Sequence, residues 1–187
     1  MNRHSPTEDG APSLEALPPD FEASHFRRVL SQFATGVTII TTLSPEGAPI
    51  GFTASSFNSV SLDPPLVLWS LAANAGSLTV FRGNTHYAIN VLSASQIELS
   101  RRFGTTRSVS PEERFTGIDW RRGAGGAPVL LDCCAWFECF NRSRYDEGDH
   151  VIFVGEVERC GFTSAEPLVF QNGRYHRTQA HSDAGDD

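Results

Sequence analysis

Two hydrophobic periods run along this chain, and the shorter one dominates. Helical spacing is confined to a few short segments. In SHFRRVLSQFATG, Phe26, Val29, Leu30 and Phe33 fall at i, i+3, i+4 and i+7, which is one face of a helix. Ser24 is placed to cap its start, and Gly36 lies past its end. NAGSLTVFRGN predicts a short helix from Asn74 or Gly76 to Gly83. In SASQIELSRRFG, Ser95 and Glu98 have capping-box spacing and Gly104 is the stop. SPEERF repeats the logic, with Ser110 as cap, Pro111 at the first helical position and Glu113 as box partner.

The remaining apolar segments read as strands. VTIITTL and PIGFTASSF flank SPEGA, a turn with Pro and Gly, and so form a hairpin. SVSLDPPLVLWSL breaks at Asp63-Pro64-Pro65 and then runs apolar through Leu71. YAINVL is a short buried strand, and PVLLDCCAWFECFN a longer one. HVIFVGEVERCGF follows the acidic stretch 146–149, and LVFQNGRYHR is a hairpin around Asn172-Gly173. Seven or more strands with few helices predict a mainly β, antiparallel barrel with helices attached, not a βαβ sheet. Residues 1–20, rich in Pro, Ser, Gly and acids, are expected to form a flexible arm. Residues 21–178 read as one domain and 179–187 as a polar tail.

Composition narrows the function. The chain has 187 residues, 40% hydrophobic and 20% charged, with a formal net charge of -7. The arginine pairs 27–28, 101–102 and 121–122 lie far apart, so no concentrated basic face suits DNA or RNA. No apolar run reaches the length of a membrane span, and the N-terminus has no signal-like apolar core, so a cytoplasmic protein is expected. The cysteines at 133, 134, 139 and 160 match no common zinc spacing. On a strand over 133–140, Cys133, Ala135, Phe137 and Cys139 share one face and read as small core residues. No metal site is expected. GAGGAP at 123–128 lacks the last glycine of a dinucleotide loop and leads into a strand. No nucleophile dyad or elbow is evident, and Glu156 and Glu158 fit a solvated strand face.

Three stretches could carry chemistry. Thr53, Ser55, Ser56, Ser59 and Ser61 are dense small hydroxyls in a β segment, where bulky residues usually pack better. A ligand with many acceptors, such as a flavin, suits them, as does a plain small-residue strand. Asn74, Gly76 and Ser77 sit at a predicted helix start, whose free amides hold phosphates, with Arg82 as an added cation. An ordinary capped helix explains them equally well. His150 follows Asp146, Glu147, Gly148 and Asp149, and nearby carboxylates favour imidazolium. By itself it fits a surface histidine better, as do His86 and His176.

Read in order, these strings resemble the short-chain flavin reductases, the reductase components of two-component flavin-dependent monooxygenases. The resemblance is carried by FRRVLSQFATGVTIITTLSPEGAPIGFTASSFNSVSLDPPLVLWSL, YAINVLSASQIELSRRF, APVLLDCCAWFECFN, GDHVIFVGEVE and PLVFQNGRYH, covering about residues 24–178. It implies an FMN-binding split β-barrel with Greek-key-like antiparallel strands, usually a homodimer with the flavin near the subunit interface. It implies hydride transfer from NADH or NADPH to FMN or FAD, and reduced flavin that diffuses to a partner monooxygenase. The family's flavin strand falls on Thr53, Ala54, Ser55 and Ser56, with Ser70 and Leu71 beside the ring system. Its phosphate loop falls on Asn74, Ala75, Gly76 and Ser77, and its nicotinamide histidine on His150. Phe103 matches an aromatic near the flavin's far end, and Tyr175 a C-terminal tyrosine near the site. Two departures bear on affinity. Many members have asparagine at the position of Ser55, and many have a lysine in the loop that here reads Asn74-Ala75-Gly76, where Arg82 is the substitute cation. The resemblance leaves two alternatives, a flavoprotein that retains its FMN and a non-catalytic flavin-binding module.

Overall fold

The computed structural model describes residues 21–105, 110 and 113–181. Helix α1 spans Ala23–Leu30 and is followed by β1 (Thr35–Gly36), β2 (Thr38–Leu43), β3 (Pro49–Ala54), β4 (Asn58–Leu62) and β5 (Pro65–Ala72). Helix α2 (Leu78–Gly83), β6 (His86–Val91) and α3 (Ile97–Gly104) come next. A 3₁₀ turn at Glu113–Phe115 precedes β7 (Trp120–Arg122) and β8 (Pro128–Leu130). Two long strands, β9 (Ala135–Glu147) and β10 (His150–Phe162), and the short pair β11 (Val169–Gln171) and β12 (Arg174–His176) complete the chain.

Seven strands form one antiparallel sheet in the order β3-β2-β6-β9-β10-β5-β4. The sheet curls so that Phe52 of β3 meets Trp69 of β5, with ring centroids 5.5 Å apart, although no ladder joins the two strands. The result is a split barrel. Strands β1, β11 and β12 form a second small sheet, and β7 pairs with β8.

The interior is built from rings. Trp69 stacks on Phe153 at 4.2 Å with the planes 1° apart, and Phe81 and Tyr87 meet the indole edge-on. Offset and edge-on contacts of this kind add about 0.5–1.5 kcal/mol per pair beyond area burial. A second cluster, around Val37, Ile39, Leu92, Phe103, Leu130 and Leu168, lies under α3. Strand β2 divides the two, because Ile39 enters the second cluster and Ile40 the first. Its polar positions are therefore buried as well, and each finds a partner. The Thr38 hydroxyl donates to the Ala54 carbonyl at 2.7 Å, and the Thr42 hydroxyl to that of His86 at 2.9 Å. The Asn90 amide donates to the Ile39 carbonyl at 3.0 Å and accepts from the Leu130 N–H at 2.8 Å.

Several local expectations are revised. The segment 128–141 is not one strand, because Asp132 takes a left-handed φ of 60° and separates β8 from β9. Cys133 consequently sits in the cluster under α3, whereas Cys139 faces the ring-packed interior. Ser24 lies inside α1, whose N-cap is Glu22 with no side-chain cap bond. Ser95 does not form a box with Glu98. Gln96 precedes α3 and accepts the Ser93 N–H at 3.0 Å, while Glu98 pairs with Arg101. The box at Ser110 does form, since the Glu113 N–H donates to the Ser110 hydroxyl at 3.2 Å and the Ser110 N–H to the Glu113 carboxylate at 3.0 Å. Pro111 lies outside the described residues. The acidic stretch is mostly strand, since Asp146 and Glu147 end β9 and only Gly148 and Asp149 turn.

Candidate functional site

The split in the barrel opens a groove of about 820 Å³ between β3 and the end of β5. One wall is Thr53 and Ala54 with the bend at Ser55 and Ser56, and the other is Ser70 and Leu71. The two walls are tied together, because the Ser56 hydroxyl accepts the Ser70 N–H at 2.9 Å and lies 3.2 Å from the Ser70 carbonyl. The Thr53 hydroxyl donates to the Ser100 carbonyl at 2.8 Å and so anchors β3 to α3. Part of the hydroxyl density thus holds the walls in place. Ser55 makes no such bond among the described residues, and it is exposed.

The floor beyond β5 is the segment Asn74–Ser77. The Ala73 N–H donates to the Asp149 carbonyl at 2.8 Å and the Ala75 N–H to the Ala72 carbonyl at 3.0 Å. Those of Asn74, Gly76 and Ser77 have no protein acceptor among the described residues. Three free amides in a short concave stretch make a ready anion cradle.

His150 stands at the groove mouth, paired with Ala72 across the β5–β10 ladder. Gly148, at a φ of 58°, makes the tight turn that returns the chain at this point. The His150 Nδ1 lies 2.7 Å from an Asp149 carboxylate oxygen. This hydrogen bond, and then the imidazole's charge, hold the Asp149 carboxyl below the usual carboxylate range. With Asp149 ionised, Nδ1 carries a proton, and Nε2 is left for a ligand.

Phe103 closes the end of the groove next to α3, with the edge of its ring against Gly51 of β3. Of the candidates named from the sequence, Ser59 and Ser61 on β4, Arg82 and Tyr175 lie outside this groove, and the others meet in it. Arg82 is outside the lining and pairs with Asp146. Tyr175 lines a smaller neighbouring pocket, where its hydroxyl is 2.9 Å from that of Ser100. Among the lining residues without a forecast, Arg114 is the one with a charged side chain. Its guanidinium donates to the Thr105 carbonyl at 2.8 Å and lies 3.5 Å from the Gly51 carbonyl, while its Nε is buried with no partner. The signal for it was the Ser110–Glu113 box, which fixes the turn carrying Arg114. Among the described residues no group of three His, Cys, Asp or Glu side chains is placed to hold a metal.

The groove fits a flavin by its donor set, with free amides for a phosphate, hydroxyls and peptide groups along two walls, and an aromatic edge. Comparison with known proteins agrees. A model of the flavin reductase like domain matches residues 30–179. FMN reductase (NADH) SmoA of Agrobacterium fabrum is 47% identical over 152 residues, covering 81% of this chain and 84% of that one. HsaB of Rhodococcus jostii, the reductase subunit of a flavin-dependent monooxygenase, is 38% identical over 170 residues, covering 90% of this chain and 83% of that one. Among solved structures, the NADH:FAD oxidoreductase SgcE6 of Streptomyces globisporus superposes with a TM-score of 0.81 at 35% identity, covering 94% of this chain and 98% of that one.

Proposed function

The chain belongs to the flavin reductase like domain family, and on that premise we propose that it reduces FMN or FAD with NADH or NADPH. The reduced flavin is released to a flavin-dependent monooxygenase. One observation carries this reading, the single groove that gathers the free amides of 74–77, the hydroxyl-lined walls and His150.

The overall step takes a hydride from nicotinamide C4 to flavin N5, with a proton from solvent completing the reduced flavin. Such a transfer needs two planar rings held in contact, so alignment supplies most of the rate. The amides of Asn74, Gly76 and Ser77 bind the flavin phosphate. Ser55, Ser56 and Ser70, with the peptide groups beside them, orient the ring edge, and Leu71 and Phe103 exclude water from its faces. Arg114 is a permanent cation beside the groove and stabilises the negative charge that arrives with the hydride. His150, its Nδ1 proton held by Asp149, presents Nε2 to the carboxamide of the nicotinamide and acts by position, not as an essential base.

The same reading pairs the chain with a second copy and places it in the cytoplasm, where reduced nicotinamide is abundant. The apolar face of α1 supports the pairing, since Phe26, Val29 and Leu30 are 47–55% exposed, and Phe33, past the end of the helix at Leu30, is 77% exposed. No helix among the described residues is long and apolar enough to cross a membrane.

The test is anaerobic mixing of the protein with each flavin and each reduced nicotinamide while flavin absorbance is followed. Rapid bleaching with at least one pair is expected, and no bleaching with any pair would overturn the reading. Loss of flavin on gel filtration is expected as well, because the reduced flavin must leave. For His150→Ala, the KM for the nicotinamide should rise about tenfold, as for a lost hydrogen bond of about 1.4 kcal/mol. An unchanged KM and kcat would remove the histidine from the site.

A further inference from the structure

A flavin nucleotide in this groove brings a phosphate, and the stretch placed to hold it offers amides but no cation. Residues 74–77 have no charged side chain, and the guanidinium in the lining, Arg114, stands at the Phe103 end beside Gly51. Arg82, on α2 just past the cradle, is the side chain placed to supply one. It is committed elsewhere, in an ion pair with Asp146 near the end of β9.

The backbone under this pair is held. The Asn141 amide donates to the Phe81 and Asn84 carbonyls, each at 2.8 Å, and Arg144 donates to the Arg82 carbonyl. The end of α2 is thus fastened to β9, which leaves the Arg82 side chain as the movable part. Side chains on a helix lean toward its N-terminal end, so the guanidinium is directed back along α2 toward Ser77. The strand register sets the acid on that path. Glu147, the neighbour of Asp146, lies opposite His150, and His150 lies opposite Ala72, where the cradle begins. Two strand spacings, about 10 Å, therefore separate the acidic end of β9 from the start of the cradle. A phosphate monoester carries a charge of about −1.5 to −2 near pH 7, and the screening length is about 8 Å at physiological salt. At this range an uncommitted guanidinium attracts a bound flavin phosphate, and one neutralised by Asp146 contributes little. The side chains of the pair are 40% and 72% exposed. Exposed pairs add little to stability, so the main consequence of this one is the charge it cancels beside the cradle.

We propose that Asp146 sets how loosely the protein holds its flavin, by withholding Arg82 from the flavin phosphate. The inference rests on reading the groove as a flavin reductase site, in which weak retention serves release of the reduced flavin.

The full chain, Asp146→Asn, Arg82→Ala, the double variant and Glu147→Gln are titrated by fluorescence with FMN and with riboflavin, which lacks the phosphate. Circular dichroism verifies that the variants fold. Asp146→Asn is expected to tighten FMN about fivefold and to leave riboflavin unchanged. The gain should vanish in the double variant and shrink with added salt. Arg82→Ala alone should stay within about twofold of wild type, because its charge is already cancelled. Glu147→Gln removes the same charge from the adjacent exposed position, which does not pair with Arg82, and should also stay within about twofold. No tightening in a folded Asp146→Asn, an equal gain for riboflavin, a gain that survives loss of Arg82, or one matched by Glu147→Gln would overturn the proposal. So would a large loss in Arg82→Ala alone, since the guanidinium would then already serve the phosphate. An Arg82-dependent gain for FMN alone, with no flavin reduced by the wild-type chain, would support the role of Asp146 and overturn only the reaction assigned to the groove.

Discussion

Strands β3 and β5 each serve two regions of opposite construction. On β5, Trp69 is fully buried against Phe153, and the next residue, Ser70, lines the groove. On β3, Phe52 meets Trp69 and Phe81, and the next residue, Thr53, turns to α3. The interior is filled with rings that fix one another. The groove is edged by small side chains, and its free polar groups are largely those of the main chain. The alternation of faces thus sets rings beside small polar side chains along each strand, while Phe52, Ala54 and Leu71 belong to the ring-packed interior and also reach the groove.

Removing bulk from the ring side should have the largest effect. Phe153→Ala is expected to cost about 3–5 kcal/mol, as for other buried phenylalanines, read as a lower denaturation midpoint with an unchanged slope. Adding bulk should cost less. A β-carbon on Gly155 would stand 2.2 Å from the Tyr87 hydroxyl, so Gly155→Ala is expected to destabilise by about 1–3 kcal/mol. In the loop beyond β5 the outcome should invert. A side chain at Gly76 meets open space, so Gly76→Glu should leave the denaturation midpoint within about 0.5 kcal/mol. Its carboxylate in the anion cradle should weaken FMN binding at least tenfold by fluorescence titration, about 1.4 kcal/mol. A large loss of stability there would break the division of labour.

The smallest effect is a chemical one. Burial pushes the thiols of Cys133 and Cys139 up to about 12, so at pH 8 only ~10⁻⁴ of each is thiolate. Burial raises that of Cys134 as well, whereas Cys160 is exposed. A maleimide should modify Cys160 alone in the native protein, detected by mass, and all four cysteines in urea. Because a raised pKa keeps these thiols neutral, lowering the pH below 8 should not create new reactive sites. Labelling of Cys139 in the native chain would mean that the ring side opens.

What could be read from the sequence followed the same division. The β2–β3 and β11–β12 hairpins were legible because SPEGA and Asn172-Gly173 dictate their turns locally. The groove was legible because its residues come in runs, 53–56, 70–71 and 74–77, whose likeness to a known family preserves their order. The break was passed over although Asp132, the one charged residue in VLLDCCAW and a turn former, marks it, because the apolar residues on both sides read as a single strand. The start of α3 was misread because a glutamine amide, not a serine hydroxyl, meets the loose N–H there. Arg114 and Tyr175 depend on long-range packing. Each reaches its pocket from an element distant in sequence from β3, and charge or spacing along the chain could not place either. Arg82 shows the converse, a cation close in sequence to the anion cradle that turns to Asp146.

The hydrogen bond from the Ala73 N–H to the Asp149 carbonyl has a mechanical consequence. It fastens the loop proposed to grip a flavin phosphate to the turn proposed to present an imidazole to the nicotinamide. The two grips are one lever, with its fulcrum in the last rung of the β5–β10 ladder, His150 opposite Ala72. Binding at either end would be felt at the other, equally in both directions, through the register of a single pair of strands.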